Sequence, residues 1–503
     1  MPCLDKFLIF GNRHGIRQTI LLECKLDINK KKEAEKVNKV NYKEYLTAKD
    51  FLYSLISLPK PSKYCQKSMR VGKQRFLLKD EGCVGLERIK ELLARLNNPE
   101  RNLSFIHVAG TAGKGSVVAM LRAILSEAGF KTACFTSPHL SSPLERFQID
   151  NKLMPAVTFV ELVRKIKPVI EDMYLESPYG VPSYFETLWA IALLWFSQEK
   201  PDWVIVEAGI GGALDSTNII MPKLCLITDI AIDHAGLIGP RLIDIAVNKA
   251  GIIKPKIPVL VSCRKKQVIE IIQQKAKECQ SPFERLGKDF WAEIIKRGEN
   301  SIQFEYQDAG TEKSSFYLAL AGRYQLANAA LAIRAAQLLA VNKEKIKSGL
   351  KKVFWPVRME IVSARPKIIL DGAHNPAKMK ALAESLIDFS YKKLLVILGI
   401  MENKDVKGII KALQKVADKI FITRVNVSGR HAAEPSKIYE LCHQSGLKAE
   451  VVLWPDDALD MAVKEAGPKD LILVTGSLFL AGKIREKWLP EEQIVLGRSL
   501  KIR

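Results

Sequence analysis

The sequence lacks the C-x-x-C spacing that cysteine metal sites and dithiol redox sites use, although it contains nine cysteines. They are scattered, and most lie inside apolar runs such as residues 132–135. This pattern predicts reduced thiols in a cytoplasmic protein and argues against cysteine metal ligands. A signal peptide is also not expected, because Asp5 and Lys6 flank only a short apolar stretch and no small-residue cleavage site follows.

Long apolar runs are missing as well. The longest, residues 188–196, is far too short to cross a bilayer and is typical of a buried helix, so we expect no membrane partner. With 48% hydrophobic and 26% charged residues, the composition is that of a globular protein. A chain of 503 residues exceeds what one hydrophobic core usually supports, so two domains with extra segments are expected.

Acidic residues are few relative to basic ones, with 55 against 77 and a net charge of +22. The lysines are spread along the chain and are not gathered into a stripe interleaved with aromatic residues, so we expect no nucleic-acid partner. A positive field equally attracts nucleotides and polyanionic small substrates. The charge by itself therefore does not decide between ligands.

The most informative segment is glycine-rich and covers residues 108–116. It follows an apolar, strand-like run and leads into a helix-like run that begins near Val117. Its glycines allow backbone N–H groups to turn inward, the helix presents its positive end, and Lys114 adds a charge. The spacing differs from a standard Walker A motif, because Gly115 occupies the Ser/Thr position and Ser116 follows it. We predict a variant loop that binds the phosphates of a nucleoside triphosphate; a tight turn without a ligand is the alternative.

Helical and strand-like periodicities alternate along the rest of the chain. The first part predicts helices at 117–128, 157–172, 184–198, 241–250 and 325–339, and strands at 131–136, 202–206, 224–230 and 257–262. This alternation predicts a mostly parallel sheet covered by helices on both faces. After a β-like segment at 301–319, the pattern starts again with strands at 367–370, 394–398, 418–423, 450–453 and 470–474.

These patterns predict an α/β protein of three segments. Residues 1–41 have weak periodicity and a charged run, which predicts an appended and partly disordered arm. Residues 42–356 form a central domain that contains the phosphate loop. Residues 357–503 form a smaller, doubly wound, Rossmann-like domain.

Polar residues directly follow three strands of the first predicted sheet. They are Ser137, Glu207 and His234. Ligands of an open parallel sheet bind beyond the carboxyl ends of its strands, so we expect these residues beside the phosphate loop. A hydroxyl, a carboxylate and an imidazole can ligate Mg²⁺ that bridges nucleotide phosphates, although imidazole is an unusual partner for so hard an ion. Taken singly, each residue also has a structural explanation as a turn residue, a solvated carboxylate or a core histidine.

Two further segments have both a functional and a structural explanation. Residues 207–218 are rich in glycine, which allows a ligand close to the backbone; the alternative is a connector capped by Asp215. Lys249 lies in the last turn of a predicted helix that ends at Gly251. By residue type and position alone, Lys249 is best explained as a cation that complements the helix dipole.

At this point the chain resembles the folylpolyglutamate synthases and dihydrofolate synthases, which are Mur-ligase-like ATP-dependent amide ligases. The resemblance runs from about Tyr42 to Arg485. The family's phosphate loop reads G-T-N-G-K-G-S, and residues 110–116 follow this form except at Ala112. Further motifs follow in family order at residues 137–140, 207–218, 233–234, 249–252, 322–325 with 328, 356–360, 371–376, 404–405 and 475–477.

The resemblance implies a P-loop-containing Mur-ligase-like central domain and a role for individual residues. ATP would be bound by Gly113, Lys114, Gly115, Ser116, Asn328, Arg358 and Asp371. Mg²⁺, with a second Mg²⁺ or a monovalent cation beside it, would be held by Ser137, Glu207 and His234. The catalytic residues would be Lys114, His234 and Lys249, the last as a carbamate, which replaces the helix-dipole explanation. The substrates would contact Ser183, Phe185, Glu186, Leu214, Asp215, Ser216 and His374.

The implied reaction joins L-glutamate to the carboxylate of dihydropteroate, of a tetrahydrofolate polyglutamate, or of both. ATP would convert that carboxylate into an acyl phosphate, and the products would be the amide, ADP and phosphate. The implied protein is a monomer with small-molecule partners.

The sequence departs from the family pattern at several positions, of which Ala112 and Ala213 matter most, because the family usually has asparagine and arginine there. These departures motivate an alternative, a Mur-like amide ligase that acts on a different carboxylate acceptor. A degenerate protein that binds nucleotide without turnover is a third hypothesis.

Overall fold

The computed structural model describes residues 42–56, 64–72, 74–81, 86–233, 235–425, 427 and 431–502. Two predictions lie outside this part of the chain: the arm over residues 1–41 and the metal ligand His234. Among the described helices, none combines the length and the apolar character needed to cross a bilayer.

The described chain begins with helix α1 (42–54), an antiparallel hairpin and helix α2 (Glu87–Arg95). The hairpin strands are β1 (Tyr64–Val71) and β2 (Gln74–Glu81), which the hydrophobic periodicity did not predict. Val71 and Phe76 of the hairpin are buried against Val247. The hairpin thus packs on a helix of the central domain.

An eight-stranded sheet forms the middle of the central domain. Its strands are β3 (Phe105–Ala109), β4 (Thr132–Phe135), β5 (Phe147–Ile149), β6 (Lys152–Leu153), β7 (Trp203–Glu207), β8 (Pro222–Ile227), β9 (Val259–Val261) and β10 (Phe283–Arg285). The order is β10-β9-β8-β3-β7-β4-β5-β6; β5 pairs antiparallel with both β4 and β6 at one edge, and all other pairs are parallel. The carboxyl ends of β3, β4, β7 and β8 therefore lie at the same edge of the sheet.

Helices cover both faces of this sheet, as the alternating pattern predicted. They are α3 (Lys114–Glu127), α4 (Ala156–Glu176), α5 (Tyr184–Glu199), α6 (Ala235–Ile238), α7 (Leu242–Ala250), α8 (Lys266–Glu278), α9 (Gln325–Leu338) and α10 (Lys343–Lys352). Successive strand residues point to opposite faces. Phe105 and Val204 accordingly pack with α2, α4 and α5, whereas Ile106 and Ile205 pack with α3, α9 and α10.

An antiparallel three-stranded sheet precedes α9. It consists of β11 (Phe290–Gly298), β12 (Ser301–Asp308) and β13 (Ser314–Leu318). The β-like segment predicted at 301–319 is therefore confirmed, but its first strand begins earlier. Only one face of β11 is partly buried, with Trp291 and Ile295 exposed, which weakened the periodic signal there.

The C-terminal domain is a six-stranded sheet between helices. Its strands are β14 (Glu360–Ala364), β15 (Lys367–Leu370), β16 (Leu394–Leu398), β17 (Lys419–Ile422), β18 (Lys448–Val451) and β19 (Leu471–Thr475), in the order β14-β15-β19-β16-β17-β18. Only β14 is antiparallel. Its helices are α11 (Pro376–Ser385), α12 (Val406–Leu413), α13 (Pro435–Gln444), α14 (Pro455–Glu465), α15 (Leu478–Arg485) and α16 (Glu491–Gly497). The predicted α/β architecture, with a smaller doubly wound domain after the central one, is confirmed.

The end of the chain returns to the central domain. The Glu491 carboxylate of α16 accepts hydrogen bonds from the Tyr45 hydroxyl at 2.6 Å and from Lys49 Nζ at 2.8 Å. The backbone carbonyl of Arg498 accepts from the Leu153 N–H at 3.1 Å. The last residues thereby tie the C-terminal domain to α1 and to the edge of the central sheet.

Candidate active site

The phosphate loop connects β3 to α3 at the carboxyl edge of the central sheet. Gly113 caps α3 with a φ of 89°, a left-handed conformation that favours glycine, and the helix begins at Lys114 instead of at Val117 as predicted. A Cβ at Gly113 would collide with the side-chain amide of Asn328. The structure thus places Asn328 directly against the loop, although 215 residues separate the two in the chain.

A chain of polar contacts supports the first turn of α3. The Gln325 Nε2 donates to Ser116 Oγ at 3.3 Å, and Asn328 Nδ2 donates to Gln325 Oε1 at 2.8 Å. A Cβ at Gly115 would lie 3.0–3.2 Å from the Trp355 ring, which packs over the same turn. Sequence reasoning noted Gln325 only as part of a motif and gave Trp355 no role.

Glu207 lies at the end of β7, beside the loop lysine. Its carboxylate is buried, accepts from the Ser137 N–H at 3.2 Å and lies 3.7 Å from Lys114 Nζ. Burial raises the pKa of the Glu207 carboxyl, while Lys114 and then the Ser137 N–H lower it. Lys114 therefore helps to keep a buried carboxylate ionised at the phosphate-binding edge, and the three predicted residues lie together.

The oxygen donors at this edge fit a magnesium ion that is completed by a nucleotide. Among the described residues, no group of three or more His, Cys, Asp or Glu side chains could enclose a metal ion. Mg²⁺ commonly uses only one or two protein oxygens together with substrate phosphates and water. Glu207 and Ser137 provide a carboxylate and a hydroxyl beside the loop. These oxygens can bind Mg²⁺ together with nucleotide phosphates, so a site enclosed by protein ligands alone is not required.

Lys249 is buried between two loops at this edge. Its Nζ donates to the carbonyl of Gly110 at 2.8 Å and lies 3.5 Å from that of Gly211. Burial, reinforced by the positive charge of Lys114, lowers the pKa of Lys249 to about 7. An exposed cation at a helix end would keep a pKa near that of a free lysine, so the helix-dipole explanation does not describe this side chain.

The residues predicted to contact the pterin form two groups. A Cβ at Gly209, in the loop after β7, would collide with the Phe185 ring and lie 3.2 Å from the Asp215 carboxylate. Ser183 and Glu186 instead form a reciprocal cap at the start of α5, and Glu186 also accepts from Arg88 Nε at 2.7 Å. The polar groups of Ser183 and Glu186 are thus already bonded within the protein. Leu214 and Ser216 flank the buried Asp215.

Sequence reasoning missed a buried cluster around Arg146. Its Nε donates to His139 Nδ1 at 2.9 Å, and His139 Nε2 lies 3.3 Å from the Tyr53 hydroxyl. The guanidinium lies 5.9 Å from the centre of the Tyr184 ring. Within the described residues, Arg146 Nη1 has no hydrogen-bond partner. Arg146 lies nine residues after Ser137, and this proximity to a predicted site residue was the feature of the sequence that could have indicated it.

Burial gives this cluster a defined protonation state. Desolvation and the charge of Arg146 hold the pKa of His139 well below its usual value, so the imidazole is neutral. Because Arg146 donates to Nδ1, the proton of His139 lies on Nε2 and points toward Tyr53. Arg146 remains the charged member of the cluster and lacks an ion pair among the described residues, a combination that favours an anionic ligand.

The carboxylate of Asp233, the residue before His234, joins the two domains. It lies 2.7 Å from Lys404 Nζ, 3.1 Å from Asn375 Nδ2, 3.6 Å from His374 Nε2 and 3.8 Å from Lys378 Nζ. These four groups belong to the C-terminal domain. Burial lowers the pKa of Lys378 to about 7 and, with Lys378 nearby, that of His374 to about 4.

The predicted nucleotide residues Arg358 and Asp371 meet at the start of the C-terminal domain. The Asp371 carboxylate accepts from the N–H groups of Met359 at 3.0 Å and Ala373 at 2.8 Å. A Cβ at Gly372 would lie 3.1 Å from Arg358 Nη1. The polar edge between the two domains therefore carries anion-binding groups from both, an arrangement suited to a phosphorylated ligand and a second anionic one.

Two family models match the chain. The Mur ligase middle domain matches residues 108–336, and the Mur ligase glutamate ligase domain matches residues 357–478. A dihydrofolate synthase/folylpolyglutamate synthase from Bacillus subtilis is 34% identical over 417 residues, which is 80% of this chain and 94% of the relative.

Solved structures of the same kind have a similar fold. A Thermotoga maritima folylpolyglutamate synthase has a TM-score of 0.73 at 27% identity, covering 88% of this chain and 96% of that one. A Mycobacterium tuberculosis folylpolyglutamate synthase complexed with ADP has a TM-score of 0.75 at 30% identity, covering 80% of this chain and 94% of that one.

Proposed function

Because the chain belongs to the folylpolyglutamate synthase and dihydrofolate synthase family, we propose that it joins L-glutamate to the carboxylate of a folate-type substrate, using ATP. The observation that carries this proposal is the polar edge between the domains. There Lys114 lies 3.7 Å from the buried Glu207, and Asn328 lies against Gly113. ATP bound in the loop would have its terminal phosphate near these groups.

The first chemical step is the attack of the acceptor carboxylate on the γ-phosphorus of ATP. ADP leaves, and an acyl phosphate forms on the acceptor. Lys114 offsets the negative charge that develops on the phosphoryl oxygens. Glu207 and Ser137, with His234, would hold Mg²⁺, which when bound supplies further charge neutralisation at the phosphates.

The acceptor is proposed to lie along Phe185 and the loop after β7, with an anionic group on Arg146. A buried guanidinium without an ion pair is costly unless an anion neutralises it, and both substrate classes of this family are carboxylates. Arg146 also bears on the departure at Ala213, whose Cβ packs against Gly251. The cation that the family usually has at position 213 is absent, but the segment after β4 supplies a buried one. Relatives that match over most of their length are folate enzymes, so a different acceptor is not favoured.

L-Glutamate is proposed to bind on the C-terminal domain. Lys404, Lys378 and His374 converge there on one carboxylate, that of Asp233, and a substrate with two carboxylates fits this excess of nitrogen groups. The glutamate amine attacks the acyl carbon, and the tetrahedral intermediate expels phosphate to leave the amide. Because the two halves of the site come from one chain, we propose that the enzyme acts as a monomer. The buried free thiols of Cys134, Cys225 and Cys442 support a cytoplasmic protein.

Lys249 is proposed to act as a carbamate. With a pKa of about 7, about half of the Lys249 amines are neutral at neutral pH, and the neutral amine is the form that adds CO₂. The product is an anion, which replaces repulsion from Lys114 with attraction. This charge reversal would strengthen the cation-binding character of the edge.

The proposed reaction is tested by following ADP release with ATP, Mg²⁺ and L-glutamate, using dihydropteroate and tetrahydrofolate in parallel. We expect ADP release that requires both glutamate and at least one acceptor, and a product heavier than the acceptor by one glutamyl residue in mass spectrometry. ADP release without either acceptor, or none with both, would contradict the proposal. The pair of acceptors also separates dihydrofolate synthase from folylpolyglutamate synthase activity.

Asp233→Asn is expected to lower kcat/KM for glutamate about 100-fold, because removing one partner of a buried charge pair costs about 2–5 kcal/mol. The contacts to Lys404 and Lys378 hold the C-terminal domain against the central one, and the neutral amide cannot balance both charges. Steady-state kinetics would measure the effect. Asp229→Asn is the control, because its carboxylate pairs with Lys265 at the surface. Equal effects of the two variants would refute the domain-joining role.

A further inference from the structure

A buried hydrogen-bonded chain connects β3 to the loop proposed to contact the acceptor. His107 is fully buried in β3, three residues before Gly110 of the phosphate loop. Its Nε2 lies 2.9 Å from Thr217 Oγ1, and the Thr217 hydroxyl donates to Asp215 Oδ1 at 2.5 Å. Three residues from two distant segments thereby form one line.

The proton positions along this line follow from counting donors. The Asp215 carboxylate accepts three hydrogen bonds, from the Thr217 hydroxyl, from the Thr217 N–H at 3.0 Å and from the Ile210 N–H at 2.8 Å. The single hydroxyl proton of Thr217 is used on Asp215, so Thr217 Oγ1 must accept from His107. The imidazole proton therefore lies on Nε2, and Nδ1 is an acceptor without a partner among the described residues.

The charge state of His107 agrees with a hydrogen bond donated from its Nε2 to Thr217. Burial, followed by the charge of Lys254, lowers the pKa of His107 to about 3, so the ring is neutral at neutral pH. A neutral imidazole has one proton, and placing it on Nδ1 would leave a buried N–H donor unsatisfied. A buried unpaired acceptor is the more readily tolerated of the two.

At its Asp215 end, the hydrogen-bonded chain fixes the loop after β7. Asp215 Oδ2 fixes the Ile210 N–H, and the same loop presents the Gly211 carbonyl toward Lys249 and packs Gly209 against Phe185. The phosphate loop has its own anchor, because the N–H of Thr111 donates to the Asp229 carbonyl at 2.7 Å. Loss of these hydrogen bonds should therefore disturb the loop after β7, which is the acceptor loop, more than the phosphate loop.

We propose that His107 and Thr217 are positioning residues that fix Asp215, and through it the acceptor loop, by a directed chain of hydrogen bonds from His107 Nε2. This inference rests on the proposed function for its kinetic consequence, but the hydrogen-bond direction does not depend on that function. Neither residue touches the reacting atoms. Their effect is on how the folate-type acceptor is held.

The direction of the chain is tested on the unmodified protein by long-range ¹H–¹⁵N correlation of the histidine side chains. His107→Gln identifies the His107 signals among those of the seven histidines. We expect the Nε2–H tautomer, unchanged between pH 5.5 and pH 8.5, a window above the pKa of about 3. An Nδ1–H tautomer, or protonation of the ring within this window, would overturn the proposal.

The positioning role is tested with Thr217→Val, which keeps the side-chain shape and removes the hydroxyl, and Thr217→Ser, which keeps the hydroxyl. Thr217→Val is expected to raise KM for the acceptor about tenfold, with KM for ATP changed less than about twofold, and Thr217→Ser is expected to restore the wild-type values. Equal increases in both KM values, or no rescue by serine, would show a merely structural role. If the wild-type protein ligates neither acceptor, the proposed function fails, and the tautomer then tests the hydrogen-bond chain alone.

Discussion

Lys114→Ala is expected to reduce kcat about 10³-fold in the ligation reaction, a loss at the upper end of what one charge-stabilising donor contributes to a transition state. Lys114 is the first residue of α3 and lies at the edge where the terminal phosphate of ATP is proposed to bind. No other lysine shares the phosphate loop, so its charge is not replaced locally.

The Lys114 variant should have a second effect, on Glu207. Burial raises the pKa of the Glu207 carboxyl, and Lys114 is the largest of the influences that lower it. Without Lys114, more of the carboxyl is protonated and fewer molecules carry a metal-binding carboxylate. We therefore expect the apparent affinity for Mg²⁺ to fall together with kcat, and a pH profile of kcat shifted to higher pH.

Steady-state kinetics at several Mg²⁺ concentrations would measure both effects. The matched control is Lys223→Ala, because Lys223 is exposed on β8 and its substitution removes the same charge from the same domain. A Lys114→Ala enzyme with kcat within tenfold of the wild type would refute the proposed role. So would equal losses in the two variants, since these would reflect net charge alone.

Lys249→Ala is expected to lower kcat by about 10³-fold, with part of the activity restored by added acetate. The substitution removes the proposed carbamate and leaves a small buried space beside the Gly110 and Gly211 carbonyls. A small carboxylate can occupy such a space and supply the missing negative charge. Acetamide has the same shape without the charge, so it should not restore activity.

The wild-type enzyme should lose activity as pH falls below about 7. The pKa of Lys249 is lowered to about 7, so below this pH the amine is protonated and cannot add CO₂, whereas above it the neutral amine is available. Added bicarbonate should raise activity near neutral pH. Lys266→Ala, at an exposed position, is the control for loss of a lysine. Restoration by acetamide as well as by acetate would contradict a carbamate.

Local rules accounted for much of the fold. The phosphate loop was predicted because glycines between an apolar strand and a helix have few other uses, and the structure places Asn328 against it. The hairpin β1–β2 and the antiparallel strands β5 and β6 were not predicted. The edge strands are short, three and two residues, and too short for a period-two pattern to be recognised.

The site residues likewise include some that local sequence predicts and others that only packing brings together. Ser137 and Glu207 were predicted because each directly follows a strand, and the structure joins them by a hydrogen bond. The cluster of Arg146, His139 and Tyr53 was not, because Tyr53 is brought from α1, 86 residues before His139. No periodicity relates residues that meet only when separate helices and loops pack together.

Residue types and spacing sufficed to predict the alternating α/β architecture and the phosphate loop. These features depend on neighbours within a few residues, where backbone preference and hydrophobic period act directly. Packing alone decided that Arg146 is a buried cation, that Asp233 joins the domains and that Lys249 has a pKa of about 7. Each of these depends on desolvation and on charges from distant parts of the chain, and both arise only when the folded protein excludes water from those side chains.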